Sequence, residues 1–417
     1  MVKFNHQMNY ALLHNLLLII NVLIMLISCT SYHAEKIGPT DIMKAHEEIP
    51  EEELLDVGIN VLESEEITEK EAKEQHTNSE IRKAESHFIP YHMKLTMQQS
   101  SYWGAVRVLP ARTETTDVLI DGKILESNGA HLVLQIQVSD ATGKTWFTKN
   151  YKSEATAVFY SNNKEGEKDA FQDIYNAIAN DLAEYRMKLS PQDVKNIRTV
   201  SMLKFAEDFA PSVHSGYLSK DKNNVSTVNR LPADGDPTMS RLLKIREREH
   251  MYVDTLNEYY EEYYTEMWSS YENWRQLNYE EVRAIAKIKK SALTRKLLGA
   301  LLVAGAVALN AEDVKNTGAV QAGMVLAGSQ IIIDGFNVSK EAEIHSAAIE
   351  ELSESFGSEM RPVVMEFEGS KYELTGSAEE QFQNWRELLY KIYLAETGFD
   401  SDVQVEQMEE TETGNPQ

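Results

Sequence analysis

Cysteine is almost missing from this chain, with one residue in 417. An intrachain disulfide is therefore impossible, and zinc sites built from several cysteines are excluded. Basic residues are also in deficit, 41 Lys and Arg against 66 Asp and Glu, for a formal charge of -25. Such a surface repels phosphate backbones, so no nucleic-acid partner is expected. It also offers no broad attraction to anionic lipid headgroups, which leaves apolar or covalent means for any membrane attachment. Catalytic signatures are lacking as well. The chain contains no G-x-x-x-x-G-K-[ST] loop, no G-x-S-x-G elbow and no H-E-x-x-H helix. Arg248-Glu249-His250 and Glu343-Ile344-His345 each lack a second histidine at ligand spacing and read as surface pairs. Carboxylates abound, but none stands out as a glycosidase pair. The expectation is no catalytic residue, no metal and no cofactor.

The amino terminus carries the sharpest signal. Met1 to Tyr10 is polar with a weak positive charge from Lys3, and Ala11 to Ser28 is mostly Leu, Ile, Val and Met. Leu26-Ile27-Ser28-Cys29 follows and ends on the sole cysteine. A positive start, an apolar run and a small residue before the cut make a secretory signal. The four residues resemble the lipobox of bacterial lipoproteins. That resemblance implies cleavage between Ser28 and Cys29, acyl chains such as palmitate on Cys29, and the membrane as a partner through those chains. The competing reading is an uncleaved membrane helix, which His14, Asn15 and Asn21 interrupt. Thr30 stands where an aspartate would hold such lipoproteins at the inner membrane. The resemblance therefore implies a bacterial cell envelope location, at the outer membrane and facing the periplasm.

The rest divides by composition. Residues 29–84 are rich in Glu and Lys and read as an acidic tether. Residues 85–190 read as an α+β domain. A short helical pattern around Met93 and Met97 leads to a strand at Ala105 to Leu109. Val118, Ile120 and Ile124 alternate, and Leu132, Leu134, Ile136 and Val138 alternate more clearly, with Gln135 and Gln137 outward. Asn128-Gly129 and Asp140-Ala141-Thr142-Gly143 are turn signals. Phe171, Ile174, Tyr175, Ile178 and Leu182 recur at helical spacing. This order predicts an antiparallel meander with helices on one face. It is similar to small periplasmic domains of ABC-transport auxiliary lipoproteins and other envelope-assembly lipoproteins. The closest parts are Tyr102-Trp103-Gly104-Ala105-Val106 and Asp117-Val118-Leu119-Ile120-Asp121-Gly122, over about 100 of the 417 residues.

Residues 191–237 read as an irregular connector, with a short helix over Val200 to Phe209. Residues 238–398 read as a mainly helical domain, and 399–417 as a disordered acidic tail. From Met239 to Ile288 there is no Gly or Pro, which predicts one long helix. Its aromatic stripe includes Tyr260, Tyr264, Trp268 and Tyr271. The stripe serves either as a stacking platform for a glycan or partner helix, or as the face that packs on the fold. Residues 297–336 form two apolar runs around a polar turn. Ala300, Ala304 and Ala308 share one face of the first run, and Ala319, Gly323 and Ala327 one face of the second. Close helix–helix contact through these small faces makes an αα-hairpin. It is buried in the core, self-associating or membrane-inserted. A β-hairpin is expected at 361–374, and Ser377 with Glu380 forms a capping box.

Together these features lead to the expectation of a lipid-anchored envelope protein with a structural or protein-interaction role, able to self-associate, its protein partner not identified by sequence. The alternative is a lipid- or glycan-binding auxiliary lipoprotein of an envelope transport system, with an enzyme as the third choice.

Overall fold

The computed structural model describes residues 34–64, 67–162, 168–211, 215–309, 344, 347–348, 350–351, 362–367 and 370–397. The chain divides into two compact units, Met1–Glu35 and Lys36–Gln417. Ser28 and Cys29 therefore lie outside the described residues, as do Ala319, Gly323 and Ala327.

The α+β body is organised on a mixed six-stranded sheet. Its strands are β1 (Glu35–Lys36), β2 (Val57–Asn60), β3 (Val106–Leu109), β4 (Val118–Ser127), β5 (His131–Asp140) and β6 (Thr145–Glu154). They lie in the order β1-β6-β5-β4-β2-β3. The β4–β5–β6 part is the expected antiparallel meander. Val118, Ile120, Ile124, Leu132, Leu134, Ile136 and Val138 enter one core, as their alternation requires. Leu119 points the other way, into a second core.

The strand β2 was not anticipated, because it falls in the expected tether. It pairs parallel to both β3 and β4. All four of its residues are buried, as suits a central parallel strand covered on both faces. The helices α1 (Glu69–Gln75) and α2 (Ser79–Gln98) make the crossover from β2 to β3. Upstream of β2 the chain is fastened rather than free. Thr40 N donates to Asp173 Oδ1 at 3.0 Å and Met43 N to Asn180 Oδ1 at 2.7 Å. Asn176 Nδ2 and Asn180 Nδ2 return bonds to the carbonyls of Thr40 and Asp41. Ile37, Ile42, Met43 and Ile49 pack on the core. The tether reading thus fails over residues 36–62. The Glu and Lys residues set the average polarity there, while a minority of apolar residues face inward.

Two helices follow the sheet: α3 (Ala157–Asn162), and α4 (Gln172–Arg186), whose Asp173, Asn176 and Asn180 hold the Thr40–Met43 segment across it as a strap. The connector at 191–237 is also more regular than expected. It opens with α5 (Pro191–Phe209), a 19-residue helix begun by Pro191 and a capping box from Ser190 and Asp193. A small hairpin of β7 (Leu218–Lys220) and β8 (Ser226–Val228) comes next. The helix α6 (Pro237–Leu309) then runs for 73 residues. Ala300, Ala304 and Ala308 fall in its last turns. The expected carboxyl-terminal hairpin is present as β9 (Val363–Phe367) and β10 (Ser370–Leu374). The helix α7 (Ala378–Thr397) starts at the anticipated Ser377–Glu380 box. Its Phe382, Trp385, Leu389 and Tyr393 join the second core with α5 and the first part of α6.

The edge strand β3 shows how α6 is fixed to the sheet. Asn257 Oδ1 accepts from Val108 N at 2.9 Å, and Asn257 Nδ2 donates to Val108 O at 2.9 Å. One side-chain amide takes the place of a neighbouring strand and covers an otherwise open edge. We expect Asn257→Ala to lower unfolding free energy by about 2–4 kcal/mol, since it strands two buried backbone groups. Urea denaturation measures this directly.

Candidate functional site

The aromatic stripe of α6 is taken up largely by the fold itself. Tyr260 and Tyr271 are each only 1% exposed. Tyr264 stacks on Phe88 of α2 with ring centroids 4.6 Å apart, and Trp268 lies 5.9 Å from the same ring. His92 bridges Tyr264 Oη, 2.7 Å from its Nδ1, and Gln172 Oε1, 2.9 Å from its Nε2. Burial holds His92 below the ordinary histidine range, in its neutral form. Deeper still, Arg275 donates to Asp169 at 2.7 Å and also binds Glu272. Arg275 and Asp169 have no exposed side-chain surface, so this network joins α6 to the α+β body rather than meeting a ligand.

A large open cleft lies elsewhere, between α5, the first third of α6 and the ends of β2, β3 and β4. It encloses about 1100 Å³, enough for a small organic ligand. Helical spacing builds two of its walls. Lys195, Arg198, Thr199 and Met202 share one face of α5. Leu243, Arg246, Glu247, His250, Met251 and Asp254 share one face of α6. The third wall is the turn Glu51–Glu53, with Asp56, Arg107 and Asp117. This turn is held by its backbone, because Arg198 Nη1 donates to Glu51 O at 2.8 Å and Arg186 Nη2 to Glu53 O at 2.6 Å.

Charges in the cleft are unequally matched. Arg107 is saturated: it makes a two-pronged bond to Asp254 at 2.6 and 3.0 Å and reaches Asp56 at 3.3 Å. Desolvation lowers its basicity, but its hydrogen bonds to Asp254 and Asp56 and their charges together outweigh that and raise it. Arg246 is different. Its Nη2 donates to Thr115 O at 2.9 Å and to Ser201 Oγ at 2.6 Å. Its buried Nε has no hydrogen-bond partner, and no ion pair forms to Arg246 among the described residues. Burial therefore lowers its affinity for a proton, only partly offset by Asp117. Asp117 is itself pushed up by burial, although Asp56 N donates to it at 3.1 Å. His250, one helical turn from Arg246, is pushed down to about 4 by burial and by the nearby Arg246 and Arg107. It is neutral at physiological pH and has no hydrogen-bond partner among the described residues.

One expectation changes here. Arg248-Glu249-His250 is not a surface pair: Glu249 is buried and accepts from Arg386 Nε at 2.8 Å, and His250 lines the cleft. The cleft itself was missed because its residues come from five separate segments. The signal available was the mixed polar face at Arg246, His250 and Asp254, overshadowed by the aromatic face further along α6.

The arrangement offers cationic donors, carboxylate acceptors and an apolar shelf, which is binding chemistry. Among the described residues, no helix is long and apolar enough to cross a membrane, and no cluster of three or more His, Cys, Asp or Glu is placed to hold a metal ion. Comparison with protein-family models, with curated proteins and with solved structures finds no match to this chain.

Proposed function

We propose that this protein is a bacterial cell-envelope lipoprotein, anchored through acyl chains on Cys29, with a structural or protein-interaction role at the periplasmic face of the outer membrane. The observation that carries the reading is the sequence Leu26-Ile27-Ser28-Cys29, with its cysteine used nowhere else in the chain. The folded strap adds a constraint on how such an anchor would work. The chain is fastened from Ile37, whose N donates to Lys152 O at 2.7 Å. Eight residues from Cys29 to Ile37 reach at most about 29 Å. A body so attached works close to the lipid surface rather than at the end of a long tether.

Intact-mass measurement of the full-length protein, extracted gently from membranes, tests the anchor. The expected product lacks residues 1–28 and carries acyl mass that Cys29→Ser abolishes. A chain that retains residues 1–28, or one cut there with a free thiol, overturns the reading. A second reading, an auxiliary lipoprotein that handles a lipid or glycan, is favoured by one observation, the unpaired Arg246 in the wall of a large cleft.

A further inference from the structure

The cleft has N–H donors that its own carboxylates do not use. Three cations and one neutral imidazole stand out: Arg246 and His250 on α6, and Lys195 and Arg198 on the facing α5. Arg246 lacks an ion pair, His250 lacks a hydrogen-bond partner, and Lys195 is exposed with no bonded carboxylate among the described residues. These groups approach from two helices. Such a set suits a tetrahedral anion with several acceptor oxygens better than a planar one. A bare anion is nevertheless disfavoured. The chain as a whole is at -25, and the same cleft carries Glu51, Glu52, Glu53 and Glu247, of which Glu51, Glu52 and Glu247 are exposed. A ligand with its own cation is not repelled, and its cation has carboxylates to meet. Beside the charges lies an apolar shelf. Leu243 is 43% exposed and Met251 46% exposed, and Met202 is half-buried behind them.

We infer that this cleft binds a zwitterionic phosphate ester carrying an ammonium group, its phosphate paired with Arg246 and its ammonium against the Glu51–Glu53 turn. The phosphate supplies the direct ion pair that Arg246 lacks, and His250 and Lys195 donate to the remaining oxygens. The carboxylates of Glu51 and Glu52 are left to the ligand, since the turn is held through the Glu51 and Glu53 carbonyls, while the Glu53 carboxylate lies 3.9 Å from Arg186 Nη2. The same chemistry occurs in a free phosphorylated amino alcohol and in a lipid headgroup, where the apolar shelf would take the adjoining glycerol or acyl portion. The inference deepens the ligand-handling reading and does not depend on the anchor, so failure to bind leaves the acyl mass on Cys29 unaffected.

Isothermal titration of the full-length protein in an uncharged maltoside detergent is the test. The probes are phosphoethanolamine, inorganic phosphate, ethanolamine and lysophosphatidylethanolamine. Phosphoethanolamine should bind at least about tenfold more tightly than phosphate or ethanolamine alone. Arg246→Met should abolish that binding. Because Arg246 also holds Thr115 and Ser201, Lys195→Ala provides the second variant. That side chain is exposed, and its loss should weaken phosphoethanolamine about three- to tenfold with an unchanged melting temperature. Replacing Glu51, Glu52 and Glu53 together by Gln should narrow the preference for phosphoethanolamine over phosphate. Tighter binding of lysophosphatidylethanolamine assigns the site to a headgroup, and equal or weaker binding assigns it to the free ester. No binding of phosphoethanolamine at millimolar concentration, or binding indifferent to both Arg246→Met and Lys195→Ala, overturns the inference.

Discussion

Gly129→Ala should destabilise the folded body by about 3 kcal/mol or more, although it adds a single methyl group. Gly129 sits in the β4–β5 turn, where a Cβ would stand 1.8 Å from the carbonyl oxygen of Arg275 and 2.5 Å from Tyr279 N. Both obstacles are backbone atoms of α6. No side-chain rotation can relieve them, so either the turn or the helix must move. Movement there would also disturb Tyr160 Oη, which donates to Gly129 O at 2.8 Å, and its ring contact with Tyr279 at 4.7 Å. Gly38→Ala is the control, because nothing lies within 4 Å of the added carbon. It should shift stability by no more than about 0.5 kcal/mol. Equal urea midpoints for Gly129→Ala and the wild type would show that the turn does not abut α6.

Asp169→Asn and Arg275→Met should each cost about 3–5 kcal/mol, for an electrostatic rather than a steric reason. Arg275→Met leaves the buried Asp169 without its ion-pair partner, and Asp169→Asn leaves the buried Arg275 with Glu272 alone, at the edge of the site. Asp169 Oδ2 accepts from Arg275 Nη2 at 2.7 Å, and the Arg275 guanidinium lies 4.3 Å from the centre of the Tyr271 ring. The double variant should be less destabilised than the sum of the two, and a double-mutant cycle reads that coupling. Strict additivity would mean that the pair does not interact.

Acidity acts on the same network. Burial pushes the Asp169 carboxyl up, but the charge and hydrogen bond of Arg275, with the hydrogen bond from Phe171 N, hold the group below its ordinary value. Its contribution is present above the unfolded carboxylate pKa and is lost as pH falls through the lower folded value. His87 and His92 are held below the ordinary histidine value by burial. Protons then favour the unfolded chain from about pH 6.5 downward. Both effects have one sign, so stability should decline from about pH 6.5 and fall further below about pH 4. Denaturation midpoints across that range would reveal it.

Much of the architecture was legible because the pattern that encodes it is local. Leu132, Leu134, Ile136 and Val138 alternate, so a strand with one inward face follows from the pleat alone. Ile174, Tyr175, Ile178 and Leu182 repeat at helical spacing and enter the same core. The absence of Gly and Pro after Met239 allowed the long helix, and Ser377 with Glu380 fixed the start of the last one. These features depend on backbone geometry within a few residues.

The tertiary structure decided the rest, because the deciding partners are far apart in the chain. Leu55, Val57 and Ile59 alternate inside a polar stretch, yet only β3 and β4 on either side make them a central strand. Asp173, Asn176 and Asn180 look like an ordinary solvated stripe until the strap at Thr40 to Met43 lies across them. Tyr260 and Tyr271 have the same sequence signature whether they meet a ligand or a neighbouring helix, and packing against α2 settled it. Arg246 and Lys195 lie on different helices, and nothing local distinguishes an unpaired arginine from a paired one. The sequence by itself determined where helices and strands form, since short-range sterics and periodic burial suffice for that. Which charges were matched and which were left over depended on packing distant segments together, because Coulomb pairing follows distance in space and not along the chain.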